Sequence, residues 1–310
     1  MLRERAAGNF RCKLCGSTSY ARAYLLQEPS DVCFAACECS ECGLFQSIYE
    51  WLSAPSLQIT ERFDNRDANW RSTEEFSHLK EKGMLFAKLL DEAGHLKGAR
   101  ILDIGCGQGW FLRACLDLGA LHAAGEEYRN ADIRFAKKRL GICDIRSVPL
   151  ERQDVWTNDE FDVVCSFDVI EHVHDLRQFF DQCLRVTRPG GIVFHAFPGY
   201  DSLSHLAGRR LAKLGVRTIA TTLCNLHNTT DLGRCPHVQI PGYRQVKWLE
   251  AHHALNLMSL RYISHYSYSD QHYASMLPLL NRFPEEMGKS IFRICRKMIR
   301  NKLVFLAAKK

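Results

Sequence analysis

A glycine-rich turn between an apolar strand and an amphipathic helix constrains the fold of this chain more than any other feature. Residues 99–104 are predicted to form a short buried strand, and apolar side chains then recur at helical spacing over 111–118. Gly105, Gly107 and Gly109 lie in the turn between them. Together the three parts are typical of the first unit of a doubly wound α/β sheet. Glycines allow a ligand to touch the backbone of such a turn, and the following helix N-terminus favours an anionic group.

An acidic pair follows this turn at the end of the next predicted strand, 120–125. Trp110 stands where a dinucleotide fingerprint has its last glycine, which argues against NAD. Glu127 lies 22 residues after Gly105 (127 − 105 = 22), near the spacing at which an acid accepts ribose hydroxyls. Glu126 is the neighbouring alternative. Without such an acid, the turn would be interpreted as an ordinary tight connection between a strand and a helix.

The segment from Asp103 to Gly109, DIGCGQG, resembles the cofactor motif of class I S-adenosylmethionine-dependent methyltransferases. The resemblance implies that Glu127 holds the ribose and that the glycines approach the methionine part of the cofactor. The cofactor-binding residues implied in this first half are Asp103, Gly105, Cys106, Gly107, Gly109 and Glu127.

A second motif follows the predicted strand 161–167 and reads DVIEHV from Asp168 to Val173. It resembles the fourth-strand motif of the same family, particularly in its quinone-biosynthesis and sugar methyltransferase branch. A helical pattern over 176–186, a break at RPGG and a strand over 192–197 continue the resemblance. Asp168 is expected to line the cofactor side of the crevice above the strand ends.

The C-terminal third extends the resemblance with a predicted helix over 248–255 and strands over 260–268 and 302–310. In the family the last strand is the antiparallel one. The predicted fold class is therefore α/β, with a doubly wound, Rossmann-like, seven-stranded methyltransferase sheet and an N-terminal zinc ribbon.

Two CxxC-Gly segments near the N-terminus predict the ribbon. Cys12 and Cys15 form the first pair, Cys39 and Cys42 the second, and each pair is followed by a glycine. Four thiolates at such spacings suit tetrahedral Zn²⁺, and a site closed by four protein ligands is structural rather than catalytic. The other nearby cysteines, Cys33 and Cys37, are interpreted as small buried hydrophobes.

The candidate catalytic residues are histidines, because a hydroxyl acceptor benefits from a general base. His172 follows the fourth-strand motif, and His237 lies beside a variable segment. His195 lies inside a predicted strand and is interpreted as a core histidine. A histidine on such an element is more often structural than catalytic, which is the alternative interpretation of His172 and His237. Tyr200 and Asp201 lie nearby in sequence.

The predicted domain division is a ribbon over 1–50, a helical linker or lid over 51–98, and a methyltransferase domain over 99–310 with an insertion at 199–236. The insertion either covers the acceptor pocket or is a surface excursion. Fourteen cysteines, without an apolar signal near the first residue, lead us to expect reduced thiols and a cytoplasmic location.

The formal net charge of +6 permits a nucleic-acid partner without implying one. Eight Lys/Arg and no acid lie in 287–310, so that the segment 289–302 either contacts an anionic membrane surface or is a core-facing helix with a basic face. The sequence favours a methyltransferase for a sugar, a lipid-linked intermediate or a natural-product intermediate. The alternatives are an RNA methyltransferase that holds RNA with its ribbon, and a non-catalytic zinc-binding module.

Overall fold

A computed structural model of the chain describes residues 10–27, 33–48, 73–148, 155–217, 220, 237–263 and 302–310. Its larger part is a seven-stranded mixed sheet in the order β10-β11-β8-β7-β4-β5-β6. The strands are β4 (Arg100–Ile104), β5 (His122–Glu127), β6 (Ile145–Ser147), β7 (Phe161–Phe167), β8 (Thr187–Pro198), β10 (Leu255–Ile263) and β11 (Lys302–Lys309). The predicted seven-stranded, doubly wound sheet is confirmed.

The pairing directions of this sheet place its functional edge. β4 pairs in parallel with β5 and β7, β5 pairs in parallel with β6, and β7 with β8. β11 is antiparallel to both β8 and β10, as the resemblance implied. Parallel strands end at one edge of a sheet, so that the turns after β4, β5 and β7 meet there.

Helices cover both faces of this sheet. They are α1 (Thr73–Glu92), α2 (Trp110–Asp117), α3 (Asn130–Leu140), α4 (Leu176–Val186) and α6 (Tyr243–His252), whereas α5 (Leu203–Lys213) packs against the smaller sheet described below. Side chains of α1, α2 and α3 share one apolar core with Ile101 of β4, whereas α4 and α6 share the other core with Leu102. Successive β4 residues therefore point to opposite faces, which is the alternation expected of a buried strand.

A second, four-stranded sheet contains the N-terminal segment in the order β1-β2-β3-β9. Its strands are β1 (Tyr20–Gln27), β2 (Cys33–Cys39), β3 (Phe45–Ser47) and β9 (Gln239–Ile240). β9 begins 192 residues after β3 ends (239 − 47 = 192) and pairs antiparallel with it. Leu14 and Leu44 are buried in the same core as Leu102, and burial of a leucine side chain contributes about 2 kcal/mol. The N-terminal segment is thus packed onto the large domain.

Several predicted boundaries were wrong by a few residues. β5 begins at His122 and ends at Glu127, α6 is Tyr243–His252, and β10 is Leu255–Ile263. The helical pattern ends before RPGG, at Val186, as predicted, but the next strand begins at Thr187 instead of residue 192. RPGG therefore lies within β8, whose pairing with β7 has a register irregularity between Phe161 and Val163.

Other predictions lie wholly or partly outside the described residues. These are the basic segment 289–301, much of the predicted insertion 199–236 and much of the predicted linker 51–98. Among the helices of the described ranges, none combines the length and apolar character needed to cross a lipid bilayer.

Candidate functional site

The glycine turn after β4 forms the floor of the candidate site. Gly105, Gly107 and Gly109 all have positive φ, at 75°, 52° and 79°. A side chain at Gly105 would clash with Val169, because a Cβ there would lie 2.5 Å from Val169 Cγ2. A Cβ at Gly107 would meet no atom within 4 Å, so this glycine faces open space in which a ligand can lie against the backbone.

Glu127 bounds the glycine turn from β5. One carboxylate oxygen, Oε2, accepts a hydrogen bond from Gly107 N at 2.9 Å. The other, Oε1, accepts from Tyr128 N and Arg129 N, also at 2.9 Å each. Burial raises the pKa of Glu127, while the Arg129 guanidinium and these backbone donors oppose that rise. Since each carboxylate oxygen has two lone pairs, Oε2 keeps one for a further donor such as a ribose hydroxyl.

The neighbouring acid, Glu126, points to the other face of β5. It accepts a hydrogen bond from Trp156 Nε1 at 2.6 Å, and burial raises its pKa to about 7. Glu126 was the second acid that the sequence left open as a ribose ligand. It lies away from Gly107, whereas Glu127 bonds to Gly107 directly.

A cluster of charged side chains closes the end of the crevice beside β7. Asp168, at the end of β7 with φ 60°, forms ion pairs with Lys82 of α1 and Lys302 of β11. Asp103 is buried, burial raises its pKa well above the ordinary value, and its Oδ1 has no hydrogen-bond partner among the described residues. An orphaned buried acceptor beside an open glycine turn fits a ligand that carries an ammonium group.

Cys106 and Gly109 contribute to the turn mainly through their backbone. The Cys106 thiol is buried against Gly125, and the Cys106 N–H donates to Glu126 O at 2.9 Å. Gly109 is the N-cap of α2. Above them α1 crosses α2 so closely that a Cβ at Gly83 would lie 2.7 Å from Phe111 N. This close approach brings α1, and with it Lys82, to the site.

Beyond Asp168 a carboxylate and two imidazoles converge. Glu171 and His172 lie in a 3₁₀ turn, Ile170–His172, that follows β7, and His237 precedes β9. The ligand atoms of these three side chains lie within 4.8 Å of one another, a donor set and spacing that also suit a divalent cation. Burial raises the pKa of Glu171 to about 7.

His195, the third histidine considered from the sequence, lies elsewhere. It is fully buried among Phe179, Phe180 and Phe305, and its Nδ1 lies 2.7 Å from Ser166 Oγ. Burial lowers its pKa to about 3, so the ring is neutral near pH 7. These contacts are those of a core histidine.

The four predicted metal ligands form one cluster. The sulfur atoms of Cys12 and Cys42 are 3.4 Å apart, those of Cys15 and Cys39 are 3.5 Å apart, and all four lie within 4.8 Å of one another. Tetrahedral Zn²⁺ with bonds of about 2.3 Å separates its sulfur ligands by about 3.8 Å, so that the cluster is compatible with the predicted zinc ribbon. Cys37 is buried and is not one of the cluster's four cysteines, as its interpretation required.

Matching backbone turns hold the two cysteine pairs. Gly16 N donates to Cys12 O at 2.9 Å, and Gly43 N donates to Cys39 O at 3.0 Å. Both glycines have positive φ, at 75° and 74°. This is the conformation that a glycine after each CxxC pair allows at little cost.

Comparison with known families decides what this crevice belongs to. A family model described as a methyltransferase domain matches residues 76–237, which include the glycine turn, Glu127 and the Glu171–His172 turn. The chain belongs to the methyltransferase domain family. The predicted resemblance to class I S-adenosylmethionine-dependent methyltransferases is thereby confirmed.

Curated relatives of this methyltransferase-family chain include ubiquinone biosynthesis O-methyltransferases. That of Paraburkholderia phymatum is 28% identical over 165 residues, covering 50% of this chain and 66% of the relative. That of Hahella chejuensis is 32% identical over 143 residues, covering 44% and 60%. The chain thus spans less than two thirds of the length of these relatives.

Solved structures show the same fold at low sequence identity. A Listeria monocytogenes protein proposed to be an S-adenosylmethionine-dependent methyltransferase has a TM-score of 0.50 at 15% identity, over 75% of this chain and 99% of that chain. A Galdieria sulphuraria protein proposed to be a sarcosine dimethylglycine methyltransferase also has 0.50, at 14% identity over 74% and 86%. These similarities bear on the fold alone.

Three residues of the methyltransferase-family crevice were missed from the sequence. Lys82 and Lys302 read as ordinary basic positions, yet both reach Asp168. Gln239 is wholly buried and binds the backbone of the Glu171–His172 turn through its side chain. Gln239 lies in a two-residue strand, which is too short for a hydrophobic periodicity that would predict it. Lys82 lies on the helix before the glycine turn, and basic residues on the polar face of that helix were the signal that could have revealed it.

Proposed function

We propose that this chain is an S-adenosylmethionine-dependent O-methyltransferase that acts on a hydroxyl group of a small-molecule acceptor. The observation that carries the proposal is the convergence of Glu171, His172 and His237 beside the glycine turn. The names of the curated relatives, which are O-methyltransferases, support the same reaction.

The cofactor would lie along the glycine turn between two sets of groups. Glu127 would accept a ribose hydroxyl with the free lone pair of Oε2, and Gly107 leaves the room for this contact. Asp103 Oδ1 would accept from the ammonium of the methionine end, and Lys82 would attract its carboxylate. When bound, the cofactor supplies a methyl group on a positively charged sulfur.

The residues beyond Asp168 would prepare the acceptor oxygen. A ring nitrogen of His172 or His237 would take the hydroxyl proton as the oxygen bonds to the methyl carbon. The bond between that carbon and the sulfur would break in the same step, and its electron pair would stay on the sulfur, which becomes neutral. The carboxyl group of Glu171 lies within 4.8 Å of a ring nitrogen of each histidine and, in its ionised form, would stabilise the imidazolium. Alignment of the oxygen with the methyl group is the other contribution expected of the protein.

The test uses methyl-labelled S-adenosylmethionine with three acceptor classes: hydroxylated aromatics, sugars and RNA. We expect label in a hydroxylated small molecule, and loss of about 10²- to 10⁴-fold in kcat when the base is removed in His172→Asn or His237→Asn. The matched control is His122→Asn, since His122 is half-buried at the start of β5, where it pairs with Asp144. Label in RNA, or near wild-type turnover in both histidine variants, would refute the proposal.

A structural zinc ion in the four-cysteine cluster is part of the proposal. The donor set of four thiolates and the sulfur separations support it, and the closed ligand set gives it no place in the reaction. Atomic absorption on protein purified without added metal should find about one zinc per chain.

A further inference from the structure

Two buried glutamines face each other where the ribbon meets the large domain. Gln46 of β3 and Gln239 of β9 are direct partners in the strand register. Their exposed fractions are 3% and 0%. A buried amide costs free energy unless it is hydrogen-bonded, so the bonds that these two side chains make are informative.

Gln46 holds the first cysteine pair by its backbone. Its Nε2 donates to Arg11 O at 2.8 Å, and its Oε1 accepts from Lys13 N at 2.9 Å. Arg11 and Lys13 are the residues on either side of Cys12. The amide therefore fixes the backbone that carries one sulfur of the cluster.

Gln239 holds the turn that carries Glu171 and His172. Its Nε2 donates to Ile170 O at 2.9 Å and to Val173 O. These two carbonyls bracket the turn. The preceding amide, Val238 N, donates to Glu171 O at 2.8 Å. One short segment thus fixes the turn and also carries His237.

Further contacts tie the cysteine pairs to the same region. Lys13 O accepts from Leu176 N, at the start of α4, at 3.1 Å. Gln245 Nε2, on α6, donates to Cys42 O at 2.6 Å. Each cysteine pair therefore has its own bond to an element of the large domain.

We propose that Gln46 and Gln239 are positioning residues through which the geometry of the four-cysteine cluster sets the relation of His172 to His237. When the cluster loosens, the backbone around Cys12 moves, and Gln46 loses its hydrogen bonds to Arg11 O and Lys13 N. β3 then no longer fixes β9, and His237 loses its place opposite the Glu171–His172 turn. The catalytic meaning of this coupling rests on the proposed function, whereas the coupling itself does not.

The test is hydrogen exchange, read by mass spectrometry, on the full chain. Gln239→Met retains side-chain length and removes the amide, so we expect about tenfold faster exchange over 168–175 and unchanged exchange over the glycine turn 104–109. Gln46→Met should speed exchange over both 10–17 and 237–242 and speed zinc release to a chelator. The matched control, Gln182→Met, alters a glutamine that bonds Arg185 on α4 and should change none of these.

Removal of the metal by a chelator gives the decisive comparison. Faster exchange over 168–175 as well as over 10–17 supports the proposal, and faster exchange over 10–17 alone overturns it, as does wild-type exchange over 168–175 in Gln239→Met. If Gln239→Met does not fold, Gln239→Asn, whose shorter amide falls short of the two carbonyls, takes its place.

In an active enzyme the variants should lower kcat about tenfold or more with little change in KM for the cofactor. Hydrogen exchange does not depend on enzymatic turnover, so it tests the coupling even if the proposed methyl transfer is wrong.

Discussion

The two adjacent acids of β5 allow a matched test of the cofactor site. Glu127→Gln retains the volume of the side chain but replaces the carboxylate oxygen that faces Gly107 with an NH₂ group. An NH₂ group cannot accept from Gly107 N or from a ribose hydroxyl. Loss of a hydrogen bond to a charged acceptor costs about 1.5–3 kcal/mol, which weakens S-adenosylhomocysteine binding roughly 10- to 150-fold.

Glu126→Gln is the control, because Glu126 lies on the same strand and points to the opposite face. Its partner Trp156 Nε1 can still donate to the amide oxygen, so that the fold should be retained. We expect its affinity for S-adenosylhomocysteine to stay within about twofold of the wild type. Isothermal titration calorimetry of the three proteins measures both effects. Equal weakening by the two substitutions, or no weakening by Glu127→Gln, would refute the assignment of Glu127 to the ribose.

Three further predictions concern stability and metal. Burial raises the pKa of Glu171 from 4.5 to about 7, so the folded chain keeps a proton that the unfolded chain releases, and the free energy of unfolding falls as pH rises through this window. Glu171→Gln should remove this pH dependence and raise the free energy of unfolding by up to about 3 kcal/mol at pH 8, as measured by urea unfolding. An unchanged pH dependence would contradict the raised pKa of Glu171. His195→Phe should lower the free energy of unfolding by about 1–2 kcal/mol, because Ser166 Oγ loses its hydrogen-bond partner. The affinity for S-adenosylhomocysteine should stay unchanged, and a large loss of affinity would show that the His195 ring belongs to the site. Cys39→Ser should lose the zinc that Cys37→Ala retains, with zinc content by atomic absorption as the readout, and retention of zinc by both would exclude the cluster.

The local parts of the site were predictable from the sequence. Glycine spacing reports backbone conformation directly, and all three glycines of the turn have the positive φ that such spacing favours. Glu127 was predictable because strand length fixes how far an acid can lie from the turn. The cysteine pairs were predictable for the same reason, since each CxxC-Gly segment is a complete turn in itself.

The parts that depend on distant contacts were not predictable. Lys82 and Asp168 are 86 residues apart, and the sequence around neither residue predicts that the two are in contact. β9 has two residues and no periodicity, so its pairing with β3 left no signal. The RPGG segment reads as a loop, yet it lies within β8, where Gly190 at φ 73° accommodates the irregular start of the pairing with β7.

The pairing of β3 with β9 also has a consequence for the order in which the chain folds. The cysteine pairs and β1 to β3 lie within the first 48 residues, whereas their fourth strand begins at Gln239. During synthesis from the N-terminus, the edge of β3 therefore stays unpaired until most of the large domain has been made. An open strand edge is a site of mispairing between chains. Early metal binding by the cysteine turns would hold this three-residue edge in place while the rest of the sheet is completed.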